Sequence, residues 1–218
     1  MADRFVGSLI ACLVGLVATF PGCAPRPVEP TGHILLQNAD FERWTGHGPT
    51  GWGVAEGTVA RGEVSRVRLA HSHGLRLRAS DHRWDGKWHL TQIQQTVSSS
   101  NGRVALKLMP ETDYVGDAFA RSVVGLELVD AAGHQRFYVI NSRLSQPRVY
   151  HRPGVTVYAY PGRLHAWNTV KVSVVEEPRD DFVAAPTAHM RFQLIAANMD
   201  DAFVTSRAAG TFGPIETH

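Results

Sequence analysis

Residues 167–177 read WNTVKVSVVEE. In an extended chain Val170, Val172 and Val174 fall on one side, and Lys171 and Ser173 on the other. That is period two, the mark of a strand with one face in a core and one in water. The same pattern recurs in both directions. GLRLRAS sets Leu75, Leu77 and Ala79 against Arg76 and Arg78. GRVALKLM aligns Val104, Leu106 and Leu108, VVGLELVD aligns Val124, Leu126 and Leu128, and MRFQLIA aligns Phe192, Leu194 and Ala196. Turn residues separate the runs, as in SSSNG, DAAGH, RPG and YPGR. The pattern predicts about ten short antiparallel strands and no helix beyond the first residues, and so an all-β sandwich or barrel. Residues 176–188, EEPRDDFVAAPTA, read as a loop.

With 218 residues the chain suits one domain and a leader. Charged residues make up 19% and the net charge is +2, which gives no basic field for nucleic acid. Residues 1–23 have the make-up of an export signal: Arg4, then an apolar run from Phe5 to Phe20, then small residues. The run is shorter than the ~20 residues needed to span a bilayer. Two processing routes are open. Cys23, preceded by Gly22, resembles the acylated cysteine of a bacterial lipoprotein, although Phe20 and Pro21 depart from that pattern. Alternatively, cleavage follows Ala24. Residues 24–32 are a Pro-rich tether, 33–208 the β-sandwich, and 209–218 (AGTFGPIETH) a peripheral tail. The expected location is outside a bacterial cytoplasm, in the cell envelope, periplasm or medium, with membrane contact through a lipid at Cys23 on the first route. Cys12 and Cys23 both fall in the leader, so the domain has no disulfide and no thiolate metal site. A monomer is expected.

Residues 35–54, LLQNADFERWTGHGPTGWGV, resemble the first strand and loop of the family 4/9 and family 22 carbohydrate-binding modules, which open with Asn-x-x-Phe-Glu and then Gly-Trp. RWDG (83–86), LTQIQQTV (90–97), VVGLELVDAAGH (123–134), HAWNTVKVSV (165–174) and NMDDAFVTS (198–206) continue the likeness in order. It implies a jelly-roll sandwich of the galactose-binding-like type. It also implies a structural calcium between the first and last strands. The ligands would be Glu42 and Asp201 or Asp200, with main-chain oxygens near Asn38 or Asp40 completing the six to eight hard oxygens calcium takes. The plainer alternative is that these carboxylates are solvated strand ends.

Sugars are held by flat aromatic faces and by polar groups that fix the hydroxyls. In VTVYAY (155–160) the alternation places Val155, Val157 and Ala159 inward, and Tyr158 and Tyr160 outward. Trp84 and Trp88 flank a polar segment, and the resemblance makes Trp84 a sugar platform. Gln92 and Gln94 alternate away from Ile93, and Arg76 away from Leu75. Together Trp84, Trp88, Tyr158, Tyr160, Gln92, Gln94 and Arg76 are the candidate polysaccharide contacts, against the plainer alternative of ordinary surface residues. The sequence does not choose between a concave face and a loop edge. Trp44 and Trp52 are expected to pack, since tryptophan is mostly buried. His71, His73, His82 and His89 lack ligand spacing and read as surface histidines.

No G-x-S-x-G elbow or phosphate-binding glycine loop is present. Asp85, Glu127 and Glu176 are carboxylates of the type glycoside hydrolysis needs, but no pattern pairs them. Tyr158, Tyr160, His165 and Arg163 are the parts a polysaccharide lyase would use. The expected function is therefore non-catalytic polysaccharide binding. A jelly-roll lyase or hydrolase is the first alternative. An envelope lipoprotein with a structural or protein-binding role is the second.

Overall fold

The computed structural model describes residues 34–54, 62–80, 88–98, 102–113, 122–173, 189–199 and 207–218. Three two-residue strands come first: β1 (Trp44–Thr45), β2 (Gly48–Pro49) and β3 (Gly53–Val54). Then follow β4 (Gly62–Arg68), β5 (His73–Ser80), β6 (Trp88–Ser98), β7 (Arg103–Pro110), β8 (Ser122–Val129), β9 (Gln135–Asn141) and β10 (Arg148–Arg152). The last four are β11 (Val155–Pro161), β12 (Asn168–Ser173), β13 (His189–Met199) and β14 (Arg207–Thr217). One sheet has seven strands in the order β10-β11-β9-β8-β13-β6-β3, and the other five in the order β12-β7-β14-β5-β4. From β5 to β8, and again from β11 to β14, the chain passes from one sheet to the other at each step. That alternation is the jelly-roll manner of winding a sandwich. All pairings are antiparallel except β9 with β11, which the β10–β11 hairpin folds back between β10 and β9.

The core lies between the sheets. Leu75, Leu77, Leu106, Leu108 and Phe212 from the five-stranded sheet meet Ile93, Leu126, Leu128, Phe192 and Leu194 from the other. The inward residues read from the period-two runs at 75–79, 104–108, 124–128 and 192–196 all belong to this cluster. The turns also fall where Gly and Asp predict them. Asp130 Oδ1 accepts the Ala132 and His134 N–H groups at 2.9 and 2.8 Å, and Gly133 (φ 89°) closes the β8–β9 hairpin.

Two expectations are corrected. The residues assigned to a peripheral tail, 209–218, form most of β14, the central strand of the five-stranded sheet. Gly213 and Pro214 hid it: they sit in the irregularity between Phe212 and Ile215, which breaks the alternation without ending the strand. The ADFE segment is a turn rather than a first strand. Asn38 organises it, donating to the Arg43 and Thr50 carbonyls at 2.7 and 3.1 Å and accepting the Arg43 N–H at 3.0 Å. The turn drives Phe41, at φ 56°, into the core beside Trp52, which in turn packs edge-on to Phe192. Trp52 is buried and Trp44 half-buried against the same cluster, so both tryptophans pack as expected.

Candidate functional site

A second apolar cluster lies on the outer face of the seven-stranded sheet. Val123, Val139, Val157, Ala159, Ile195 and Ala197 are buried there, with Phe137 and Tyr150 half-buried beside them. Strands apolar on both faces need cover on both. Ala159 and Ala197 are the smallest side chains of this face, and Gly125 has none. A Cβ at Gly125 would run into the Tyr138 carbonyl, so β8 and β9 close tightly only because the side chain is absent.

A row of polar side chains crosses this face. Register sets Gln94 of β6 opposite Gln193 of β13, Gln193 opposite Glu127 of β8, and Glu127 opposite Phe137 of β9. The row continues through Val157 to Tyr150 at the edge strand. Gln193 Nε2 donates to Gln94 Oε1 at 2.9 Å, and Gln135 Nε2 donates to Glu127 Oε1 at 2.9 Å. Gln193 and Glu127 are 3% and 4% exposed, whereas Gln94 and Gln135 are half-buried and reachable. Burial pushes the Glu127 carboxyl up to about 7, against the opposing pull of the Arg191 charge and the Gln135 hydrogen bond. At neutral pH the carboxyl is thus divided between its donor and acceptor forms. Amide side chains carry both functions at once. The reachable groups of this face are the half-buried Gln94, Gln135, Phe137 and Tyr150, with Gln193 and Glu127 buried and hydrogen-bonded to two of them.

The candidate residues distribute unevenly around this face. Gln92 and Gln94 lie on this face, as their alternation with buried Ile93 predicts. Tyr158 and Tyr160 do not. Tyr158 is 4% exposed in the main core, stacked on Tyr138 with centroids 5.1 Å apart, and Tyr160 packs against the same core. Val157 and Ala159 lie on the outer face instead, so the inward and outward assignments of this strand are reversed. Hydrophobicity cannot orient a strand that is apolar on both sides, and the larger tyrosine rings took the deeper core. Arg76 lies on the outer face of the other sheet, across the sandwich from the glutamines. Its Nε and Nη2 donate to Glu111 at 2.8 and 2.9 Å, and Arg207 joins the same carboxylate at 2.6 Å. It is not on the face that carries the glutamines. Trp88 opens β6. Trp84, Asp85, Glu176, His82, Asp200, Asp201 and Cys23 lie outside the described residues.

Of the calcium donors implied by the resemblance, Asn38, Asp40 and Glu42 lie among the described residues and Asp200 and Asp201 outside them. Glu42 Oε1 accepts the His73 N–H at 2.9 Å, and Oε2 meets His73 Nδ1 at 2.6 Å and Arg66 Nη2 at 3.3 Å. The hydrogen bond to the His73 ring is the main cause holding this carboxyl below the usual range; desolvation opposes it, and the His73 N–H and the Arg66 charge add to it. A carboxylate ringed by nitrogen donors and a cation is poorly placed to bind calcium, which takes hard oxygens. The Asn38 side chain is committed to the turn, and Asp40 Oδ1 accepts the Glu42 N–H at 3.3 Å. Among the described residues no group of three or more His, Cys, Asp or Glu side chains is placed to hold a metal ion. His73 is thus a structural partner of Glu42, and His71 is exposed.

The lyase parts are not assembled either. Tyr158 is buried away from any substrate, and His165 sits at φ 55° in the turn before β12, donating its N–H to Pro110. Of the three carboxylates considered for hydrolysis, Glu127 lies in the polar row, and Asp85 and Glu176 lie outside the described residues. Gln193, Gln135, Phe137 and Tyr150 were not among the candidates read from the sequence, and Glu127 was named there only as an unpaired carboxylate. The available signal was a lone polar residue inside an apolar run, Glu127 in LEL and Gln193 in FQL.

No family model matches the chain, and no curated protein matches it. Several solved structures are similar to it. A carbohydrate-binding module in complex with β-1,4-galactotriose aligns over 86% of this chain and 99% of its own, at 12% identity and a TM-score of 0.45. The family 11 carbohydrate-binding module of a cellulosomal cellulase from Clostridium thermocellum covers 85% and 93%, at 10% identity and 0.45. The xyloglucanase domain of a type three effector from Sinorhizobium fredii, in complex with cellobiose, covers 77% and 93%, at 6% identity and 0.45. Binding modules and an enzyme domain stand together at this level of likeness, which fixes neither ligand nor chemistry.

Proposed function

We propose that the chain is a non-catalytic polysaccharide-binding domain and that the outer face of the seven-stranded sheet holds the glycan. The observation that carries this is the line of half-buried Gln94, Gln135, Phe137 and Tyr150, with the two amides held by hydrogen bonds to the buried Gln193 and Glu127. A sugar ring has apolar CH faces and a rim of hydroxyls. Aromatic rings take the first, and amides, able to donate and accept, take the second. The hydrogen bonds within the row hold the amides in place before a ligand arrives, which lowers the ordering cost of binding. The resemblance of residues 35–54 and the segments after it to carbohydrate-binding modules supports the same reading. On the export reading of residues 1–23, the domain would work at the bacterial envelope, tethered through Cys23 when that residue is acylated.

The test is retention of the full chain in native gels containing neutral or acidic polysaccharides, with product formation read in parallel. Retention without new reducing ends or unsaturated products supports the proposal. Unsaturated uronates or new reducing ends would instead establish a lyase or a hydrolase.

A further inference from the structure

We propose that Trp167, Lys107 and Lys171 form a second binding surface, for an acidic polysaccharide, on the outer face of the five-stranded sheet. Trp167 is 46% exposed, the one aromatic among the exposed large hydrophobic side chains of the described residues. Nothing in the core requires it there, yet its position is fixed. Asn168 clamps the turn before β12, donating to the Arg163 and Ala166 carbonyls at 2.9 and 2.8 Å and accepting the Arg163 N–H at 3.0 Å. The indole lies over the irregularity in β14. A Cβ at Gly213 would meet Lys107 Cβ at 3.2 Å and Trp167 Cζ3 at 3.5 Å, so the glycine leaves room for the ring to rest against the strand.

The surroundings are mainly basic. Val170 and Val172 are buried, so Thr169, Lys171 and Ser173 face outward along the edge strand. Register places Lys107 opposite Thr169. Same-face residues on a strand are about 7 Å apart. A saccharide stacked on Trp167 and running along β12 therefore passes Lys107 and reaches Lys171 after roughly 13 Å. Arg163 is exposed at the Trp167 end, and Arg103 flanks Ser173 at the other. Glu216, paired with Lys107 at 3.0 Å, is the acidic residue in this strip. An indole face beside ammonium groups suits a sugar ring that bears carboxylate or sulfate. A nucleic acid would ask for a wider basic field than a chain of net charge +2 provides.

This surface lies across the sandwich from the polar row and stands independently of it, so the two are separable by mutation. The full chain and the variants Trp167→Ala, Lys171→Glu and Leu35→Ala would be run in native gels containing polygalacturonate, chondroitin sulfate or neutral galactan; Leu35 is exposed and lies in neither surface. The proposal predicts retardation by at least one acidic polymer. That retardation should weaken at least 5-fold in Trp167→Ala and in Lys171→Glu, the latter with a shallower salt dependence, and should persist in Leu35→Ala. Absence of retardation by both acidic polymers overturns it, as does retardation that neither Trp167→Ala nor Lys171→Glu changes. Equal binding of a single-stranded oligonucleotide, lost in Trp167→Ala, would assign the surface to nucleic acid and also overturn it.

Discussion

Replacing Glu127 by Gln should make the protein more stable at alkaline pH and leave it nearly unchanged in acid. Burial raises the Glu127 carboxyl from 4.5 to about 7 in the folded state. Between those values the folded chain keeps a proton that the unfolded chain has released. Stability from this group is therefore fully present below the unfolded value of 4.5, falls as pH rises, and is lost above about 7. At about 1.4 kcal/mol per pH unit, the loss approaches roughly 3 kcal/mol. Glutamine keeps the shape and the oxygen that accepts Gln135 Nε2 but cannot ionise. Urea denaturation of both proteins at pH 4.5 and pH 8.5 isolates this group, because every other titration is common to the pair. The stability difference between variant and wild type should grow by roughly 3 kcal/mol across that interval, or several degrees in Tm. A difference that does not change with pH would refute the placing of Glu127 in a poorly solvated row.

Tyr158→Ala should destabilise the fold by about 3–5 kcal/mol, as other large-to-small core changes do, and any glycan affinity of the folded fraction should be unchanged; chemical denaturation with gel retention reads both. Gly125→Ala should fail to fold or lose most of its stability, because the added methyl has only the Tyr138 backbone to displace; circular dichroism after expression shows which. Glu42→Gln should flatten the acid limb of stability. The Glu42 carboxyl is held below 4.5 when folded, so its contribution is present above that value and vanishes as pH falls through the folded value. Chelation should leave the melting temperature unchanged, since Glu42 is engaged by His73 and Arg66 rather than by hard oxygens. A drop on chelation would show that the donors outside the described residues hold calcium after all.

The strands with one wet face were legible. Alternation of Leu75, Leu77 and Ala79 with Arg76 and Arg78 oriented β5 correctly, because charge and core sat on opposite sides. The strands buried on both faces were not legible in this way. In β8 all eight residues are buried, and in β11 both Val157 and Tyr158 are, so period two carried no information about which side was the main core. The candidate site followed the same division. Gln92 and Gln94 alternate with Ile93, which placed them on the outer side of β6, whereas Glu127 and Gln193 are single polar residues in apolar runs. Only register, which joins strands far apart in the chain, places them beside Gln94. Arg76 shows the converse limit: its outward direction was right, but which of two sheets it belonged to is a property of the winding.

The most direct test of the account is glycan retention by the full chain compared with Gln94→Ala and Tyr150→Ala, two half-buried residues at opposite ends of the polar row. The account predicts retention on at least one polysaccharide without products, and a loss of roughly 10-fold or more in each variant while circular dichroism shows it folded, the scale of one buried polar or aromatic contact. Products, or retention that both variants leave intact, would contradict it.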